Sequence, residues 1–159
     1  MKSTKYHYTY NKNVPPLMKI ESGETVVVET EDAFRGLIKK EEDVTPENIQ
    51  NILDLSCPLS GPIYIKNSKP GDWLEIHINN IEVEDYGVLV YGNGFTCLPE
   101  ILTDWTTAVA KVQNNFIYFT DEIKFPVKPI MIGTIGTTPN WGITRSPLQG
   151  IWGVIWIAL

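Results

Sequence analysis

Hydrophobic and polar residues alternate with a period of two along much of this chain, the spacing of strands with two unlike faces. The clearest stretch is residues 60–82, SGPIYIKNSKPGDWLEIHINNIE. Ile63 and Ile65 alternate with Tyr64 and Lys66. Leu74, Ile76, Ile78 and Ile81 then recur among Trp73, Glu75, His77 and Asn79. Between the two runs stands Pro70-Gly71-Asp72, in which proline presets φ and glycine accepts a positive φ. The pattern predicts a strand, a tight turn and a second strand.

The same reading extends in both directions. Residues 1–16 form an edge strand and a loop, with Tyr6, Tyr8 and Tyr10 on one side and Pro15-Pro16 at the end. Leu17 to Ile20 and Thr25 to Glu29 are short strands around the turn 21–24, and the β-branched TVVVE suits a sheet interior. Residues 41–54 carry the one helix signal. Thr45 is the cap, Pro46 fits the first helical position, and Ile49, Ile52 and Leu53 share a face. Tyr86 to Val90 is a strand, and the YGNGF that follows is a tight loop rather than a phosphate cradle, because no helical pattern continues it. Thr103 to Val112 suits a strand or a short helix. Asn114-Asn115 is a turn, and strands follow at Phe116 to Phe119 and Ile123 to Phe125. Many short strands between turn signals predict a mainly β fold, a two-layer β-sandwich or barrel-like domain with one short helix.

Composition narrows the function. The chain has 159 residues, 43% of them hydrophobic, enough for a core of its own. Thirteen Lys and Arg against nineteen Asp and Glu leave a net charge of −6 with no basic stripe, which argues against a nucleic-acid partner. The polar N-terminus lacks a secretory apolar core. No apolar run reaches the roughly 18 residues of a membrane span. A cytoplasmic location is the expectation. Cys57 and Cys97 read as reduced thiols without zinc spacing.

Chemistry is sparse. There is no GxSxG elbow, no HExxH pair and no phosphate loop. Two histidines cannot supply a His-rich metal cage. The acidic cluster Glu29, Glu31 and Asp32 ends a strand just before Gly36. It reads either as a solvated turn or as carboxylates facing a cleft, where Asp32 or Glu31 acts as ligand or base. His77 falls on the polar face of LEIHI and reads as a solvent-facing strand histidine. Trp73, Trp105 and Trp141 are core residues or, in an alternative non-catalytic β-sandwich binding module, a stacking platform.

Three segments in order carry a resemblance: ETEDAFRGLI at 29–38, LSGPIYIKNSKPGDWLEIHINNIE at 59–82, and FPVKPIMIGTIGTTP at 125–139. Together they resemble the acetamidase/formamidase family of amide hydrolases, across about residues 20 to 145. Leu37 stands where the family pattern has glutamine. The resemblance implies a mostly β protein that hydrolyses a short aliphatic amide to a carboxylate and ammonia. It points to Asp32, with Glu31 second, as catalytic residues. It points to Gly133, Thr134 and Gly136 of GTIG as lining the substrate. A small amide is the implied partner, and a homo-oligomer is expected. The metal ligands are unknown; a divalent metal fits the full-length family pattern, whose His/Asp-rich stretch is not found in these 159 residues.

The last residues add one expectation. Read one base out of frame, the codons for Ile151 to Ile157 are compatible with Met-Gly-Gly-Asn-Met-Asp, and Trp156 followed by Ile157 forces the aspartate. The family pattern has a GGNMD-type segment soon after GTIG. The chain is therefore read as an N-terminal β domain, 1–149, and an out-of-frame apolar tail, 150–159. A natural apolar C-terminal strand is the other reading. As half of a longer pattern, the chain is expected to be inactive alone and to expose apolar surface and strand edges.

Overall fold

A computed structural model describes residues 6–92, 95–130, 132–139, 144–145 and 154–158. The chain divides into two compact units. One comprises residues 1–36, 55–77 and 131–159, and the other residues 37–54 and 78–130.

The first unit holds β1 (Thr9–Tyr10), β2 (Met18–Ile20), β3 (Leu59–Ile65), β8 (Thr134–Thr137), β9 (Thr144–Arg145) and β10 (Val154–Ala158). Four of these make a sheet in the order β2-β3-β10-β8, and every neighbouring pair in it is parallel. The apolar tail thus contributes an interior strand, with Val154 opposite Leu59 on one side and Thr134 on the other. β1 pairs antiparallel with β9. The core of this unit sits under β3, where Leu59, Ser60 and Ile63 are buried and Pro62 is fully enclosed. Strands buried on both faces read as continuous apolar runs rather than alternating ones, which is why SGPI lacks a clean alternation.

The second unit is built on an antiparallel sheet, β4-β5-β6-β7 in chain order. Its strands are β4 (Tyr86–Tyr91), β5 (Thr106–Gln113), β6 (Phe116–Tyr118) and β7 (Lys124–Pro126). Asn114 and Asn115, at φ 53° and 63°, join β5 to β6. Two successive positive φ values make the type I′ turn whose twist matches a hairpin, and asparagine tolerates them well. Residues 103–112, open between helix and strand in the sequence, are therefore largely strand. The helical stretch is a 3-10 turn, Glu41–Asp43, followed by α1 (Ile49–Asp54), which buries Ile49 and Ile52. The Asn48 side chain accepts the Thr45 N–H, and the Thr45 carbonyl accepts the N–H groups of Asn48 and Ile49, so the chain turns into the helix at Thr45.

The mainly β expectation with one short helix holds. Two local expectations do not. Residues 73–84 form no strand, so β3 is not the first arm of a hairpin but the partner of β2 and β10. Trp73 is wholly exposed, and Ile76 and Ile78 are close to half exposed. Alternation alone cannot make a strand without a neighbouring edge to satisfy its backbone. Thr25 to Glu29 is likewise not a strand, and Val27 is 78% exposed. On either side of residues 93–94, Gly92 and Phe95 exchange backbone hydrogen bonds.

Candidate functional site

The sequence points to two places in the first unit, the acidic turn at 31–36 and the GTIG strand. The turn is organised by Asp32. Its Oδ1 accepts the Phe34 N–H at 2.7 Å, and its Oδ2 accepts the Gly36 N–H. An aspartate that binds the backbone two and four residues ahead closes a turn on itself. Arg35 and Gly36 take φ of 58° and 65°, a left-handed pair that an unsupported arginine would avoid. Ala33 and Phe34 are buried at its centre. The loop is moored to β3 by the Cys57 N–H, donated to the Ala33 carbonyl at 2.7 Å, and by the Ser60 hydroxyl, donated to the Glu29 carbonyl at 3.2 Å.

The N-terminal segment joins this turn to GTIG. Tyr6, Tyr8 and Tyr10 share one side, as their spacing predicts. The Tyr6 hydroxyl donates to Glu31 Oε1 at 3.1 Å. The Arg35 guanidinium lies 4.5 Å from the Tyr6 ring centroid, a cation–π geometry, and Nη1 donates to the Tyr8 hydroxyl at 3.2 Å. Tyr10 ends against Gly136, and burial pushes its phenol pKa up. The backbone and side-chain contacts of these three tyrosines therefore run from Glu31 and Arg35 at one end to the GTIG strand at the other.

The sequence-selected residues are thus distributed as follows. Asp32 has both oxygens on backbone amides. Glu31 has a side chain at the surface of the turn with the Tyr6 hydroxyl on it. Thr134 and Gly136 lie on β8, and Gly133 immediately precedes it. Among the described residues β8 is the edge strand of its sheet, paired with β10 on one side. Arg35 and the tyrosines escaped selection as site residues, although their one-sided alternation was visible in KYHYTY.

Other candidates resolve simply. His77 is exposed and pairs with Glu75 at 2.8 Å. Trp73 belongs to the first unit, and Trp105 belongs to the second, where its ring lies 6.4 Å from that of Phe95. Trp141 lies outside the described residues. A stacking platform of the three has no support. Cys57 is buried, Cys97 is exposed, and neither is in a disulfide. Among the described residues no three His, Cys, Asp or Glu side chains converge as a metal requires. None of the described helices is long and apolar enough to cross a membrane.

A sequence profile described as the Acetamidase/Formamidase family matches residues 1–147. A Schizosaccharomyces pombe protein that carries a formamidase assignment is 30% identical over 145 residues, covering 84% of this chain and 34% of its own length. The crystal structure of an acetamidase from Bacillus halodurans superposes with a TM-score of 0.82 at 30% identity, over 91% of this chain and 48% of that one. A protein described as an acetamidase/formamidase from Thermoanaerobacter tengcongensis gives 0.75 at 29%, over 88% and 45%. The chain spans about a third of the first of these relatives and just under half of the other two.

Proposed function

The chain belongs to the acetamidase/formamidase family, and on that premise we propose that it forms part of an amide hydrolase acting on a short aliphatic amide. In that reaction water attacks the amide carbonyl carbon, the carbonyl oxygen becomes an oxyanion, and the C–N bond breaks as nitrogen takes up a proton. A carboxylate and ammonia result. The chemistry requires a base for the water and donors for the oxyanion.

The edge position of β8 carries the assignment of donors. Alternate N–H groups of an edge strand have no ladder partner and can face a bound carbonyl oxygen. Gly133, Thr134 and Gly136 are proposed to line the substrate there. At the acidic turn the two carboxylates divide the work. Asp32 holds the turn through its backbone bonds, and Glu31, with a single hydroxyl on one oxygen, is proposed as the base. Asp32 is then a positioning residue in the proposed site.

The remaining proposals concern the chain as a whole. The family pattern extends well past this length, so residues 1–159 alone are proposed to be inactive, to associate as homo-oligomers and to end in an out-of-frame tail at 150–159. Sequencing the DNA beyond codon 159 and expressing the chain with the frame restored tests the tail and the inactivity, and light scattering tests the oligomer. The restored chain should release ammonia from formamide or acetamide, and the 159-residue chain should not. Turnover by the short chain would overturn its inactivity. A restored frame that hydrolyses no amide would overturn the reaction.

A further inference from the structure

The second unit contains a groove that the amide-hydrolase reading does not use. It is an open cavity of about 440 Å³ lined by Lys39, Tyr86, Val109 and Lys111. Three of these come from one sheet face. Tyr86 of β4 is opposite Lys111 of β5 in the antiparallel ladder, and Val109 lies two residues along β5 from Lys111. Directly opposed residues stand about 5 Å apart at Cβ, and residues two apart on a strand share a face. Lys39 arrives from a different element, the loop before the 3-10 turn at Glu41–Asp43, which packs against β5.

That loop is held in place. Asp43 Oδ2 accepts the N–H of Lys39 at 2.8 Å and that of Lys40 at 3.1 Å. The same amides, with the lysine charges behind them, keep the Asp43 carboxyl below its ordinary pKa. Asp43 is thereby occupied with the backbone. Among the described residues neither the Lys39 nor the Lys111 ammonium has an ion-pair partner, and the Tyr86 hydroxyl has no hydrogen-bond partner. Two lysines and a tyrosine therefore line one groove of a chain whose net charge is −6, and the nearby carboxylate, Asp43, is held by backbone amides. Ammonium and phenol O–H groups donate to carboxylate oxygens in strong, charge-assisted bonds. Val109, also lining the groove, offers apolar contact to a few carbons.

We propose that this groove is a binding site for a small carboxylate with a short aliphatic tail. Lys39 and Lys111 receive the carboxylate, Tyr86 donates to it, and Val109 packs on the tail. The site is separate from the residues assigned to amide hydrolysis and does not depend on that assignment.

The test is an amide NMR titration of the intact 159-residue chain with propionate, and in parallel with inorganic phosphate and with chloride at matched ionic strength. Propionate should produce saturable shifts centred on residues 39, 86, 109 and 111. Lys39→Gln and Lys111→Gln should each weaken it about tenfold, the loss of one charge-assisted bond. Both lysines are exposed, so the fold should survive, and an unchanged spectrum elsewhere verifies this. Tyr86→Phe should weaken binding less than either lysine change. Absence of saturable shifts with propionate, shifts that persist unchanged in Lys39→Gln with Lys111→Gln combined, or saturation by phosphate in preference to propionate would each overturn the assignment.

Discussion

A β-carbon on Gly136 would lie 2.7 Å from both Cζ and Oη of Tyr10. Tyr10 is only 6% exposed, so its ring has little room to retreat. Gly136→Ala should therefore lower stability by about 1–3 kcal/mol, the usual cost of overpacking. The midpoint of urea denaturation measures it. In a Tyr10→Ala background the same change should cost far less, because the two residues are in contact and their effects are coupled.

Asp32 and Glu31 are adjacent yet should behave differently. Asp32→Ala removes the acceptor for two turn amides and should cost about 1–2 kcal/mol. Asp32→Asn keeps one acceptor oxygen and should fall between. Glu31→Gln disturbs one exposed bond to Tyr6 and should change stability by less than about 0.5 kcal/mol. Thermal melts of the three variants separate the turn-forming carboxylate from its neighbour. Equal losses at both positions would contradict the division of roles.

Burial raises the Tyr10 pKa. A folded pKa above the unfolded one means that the native state keeps its proton longer. The stabilisation is complete below the unfolded value of about 10 and is lost as pH rises through the folded value. The chain should accordingly unfold more readily above about pH 10, and Tyr10→Phe should flatten that limb. The phenolate absorbance of the wild type minus that of Tyr10→Phe should appear above the pH of about 10 at which a free tyrosine ionises.

At the turn after β3 the sign is reversed. Asp72 is held below its ordinary pKa, first by the Lys69 N–H and then by the Lys69 ammonium. The carboxylate accepts that N–H at 3.0 Å, and the ammonium lies 3.1 Å away. Its contribution is present above the unfolded pKa of about 3.9 and is lost as pH falls through the lower folded value. The Lys69 amide resonance should stay constant down to about pH 4 and move only below it. Movement centred above that range would show that the bond does not form.

Some of this was legible because it is local. Thr45, Asn114-Asn115 and the one-sided tyrosines act within a few residues, through a local turn, φ preference and strand pleat. Partnership was not legible. Ile76 and Ile78 alternate as well as Ile63 and Ile65 do, but only the latter face neighbouring strands, β2 and β10. No period in the sequence states which edge a strand will find. The site followed the same division. Asp32 stood out as a carboxylate beside a glycine, but its commitment to the amides of Phe34 and Gly36 depends on the turn's shape. Arg35 joins the site only through tyrosines more than twenty residues earlier in the chain.

The interior position of β10 bears on how the chain acquires its shape. The antiparallel sheet of the second unit draws on β4 to β7, whose strands lie within Tyr86–Pro126 and meet by sequence-adjacent pairing. It can form early, from short loops. The parallel sheet cannot, since β10 stands between β3 and β8. Leu59 must wait for Val154 to be synthesised, nearly a hundred residues later. Pairings so distant in sequence close slowly, because loop entropy must be overcome before contacts form. On the ribosome one unit should be complete while the other is still missing its central strand. During that interval the edges of β3 and β8 are open to chaperones and to other nascent copies.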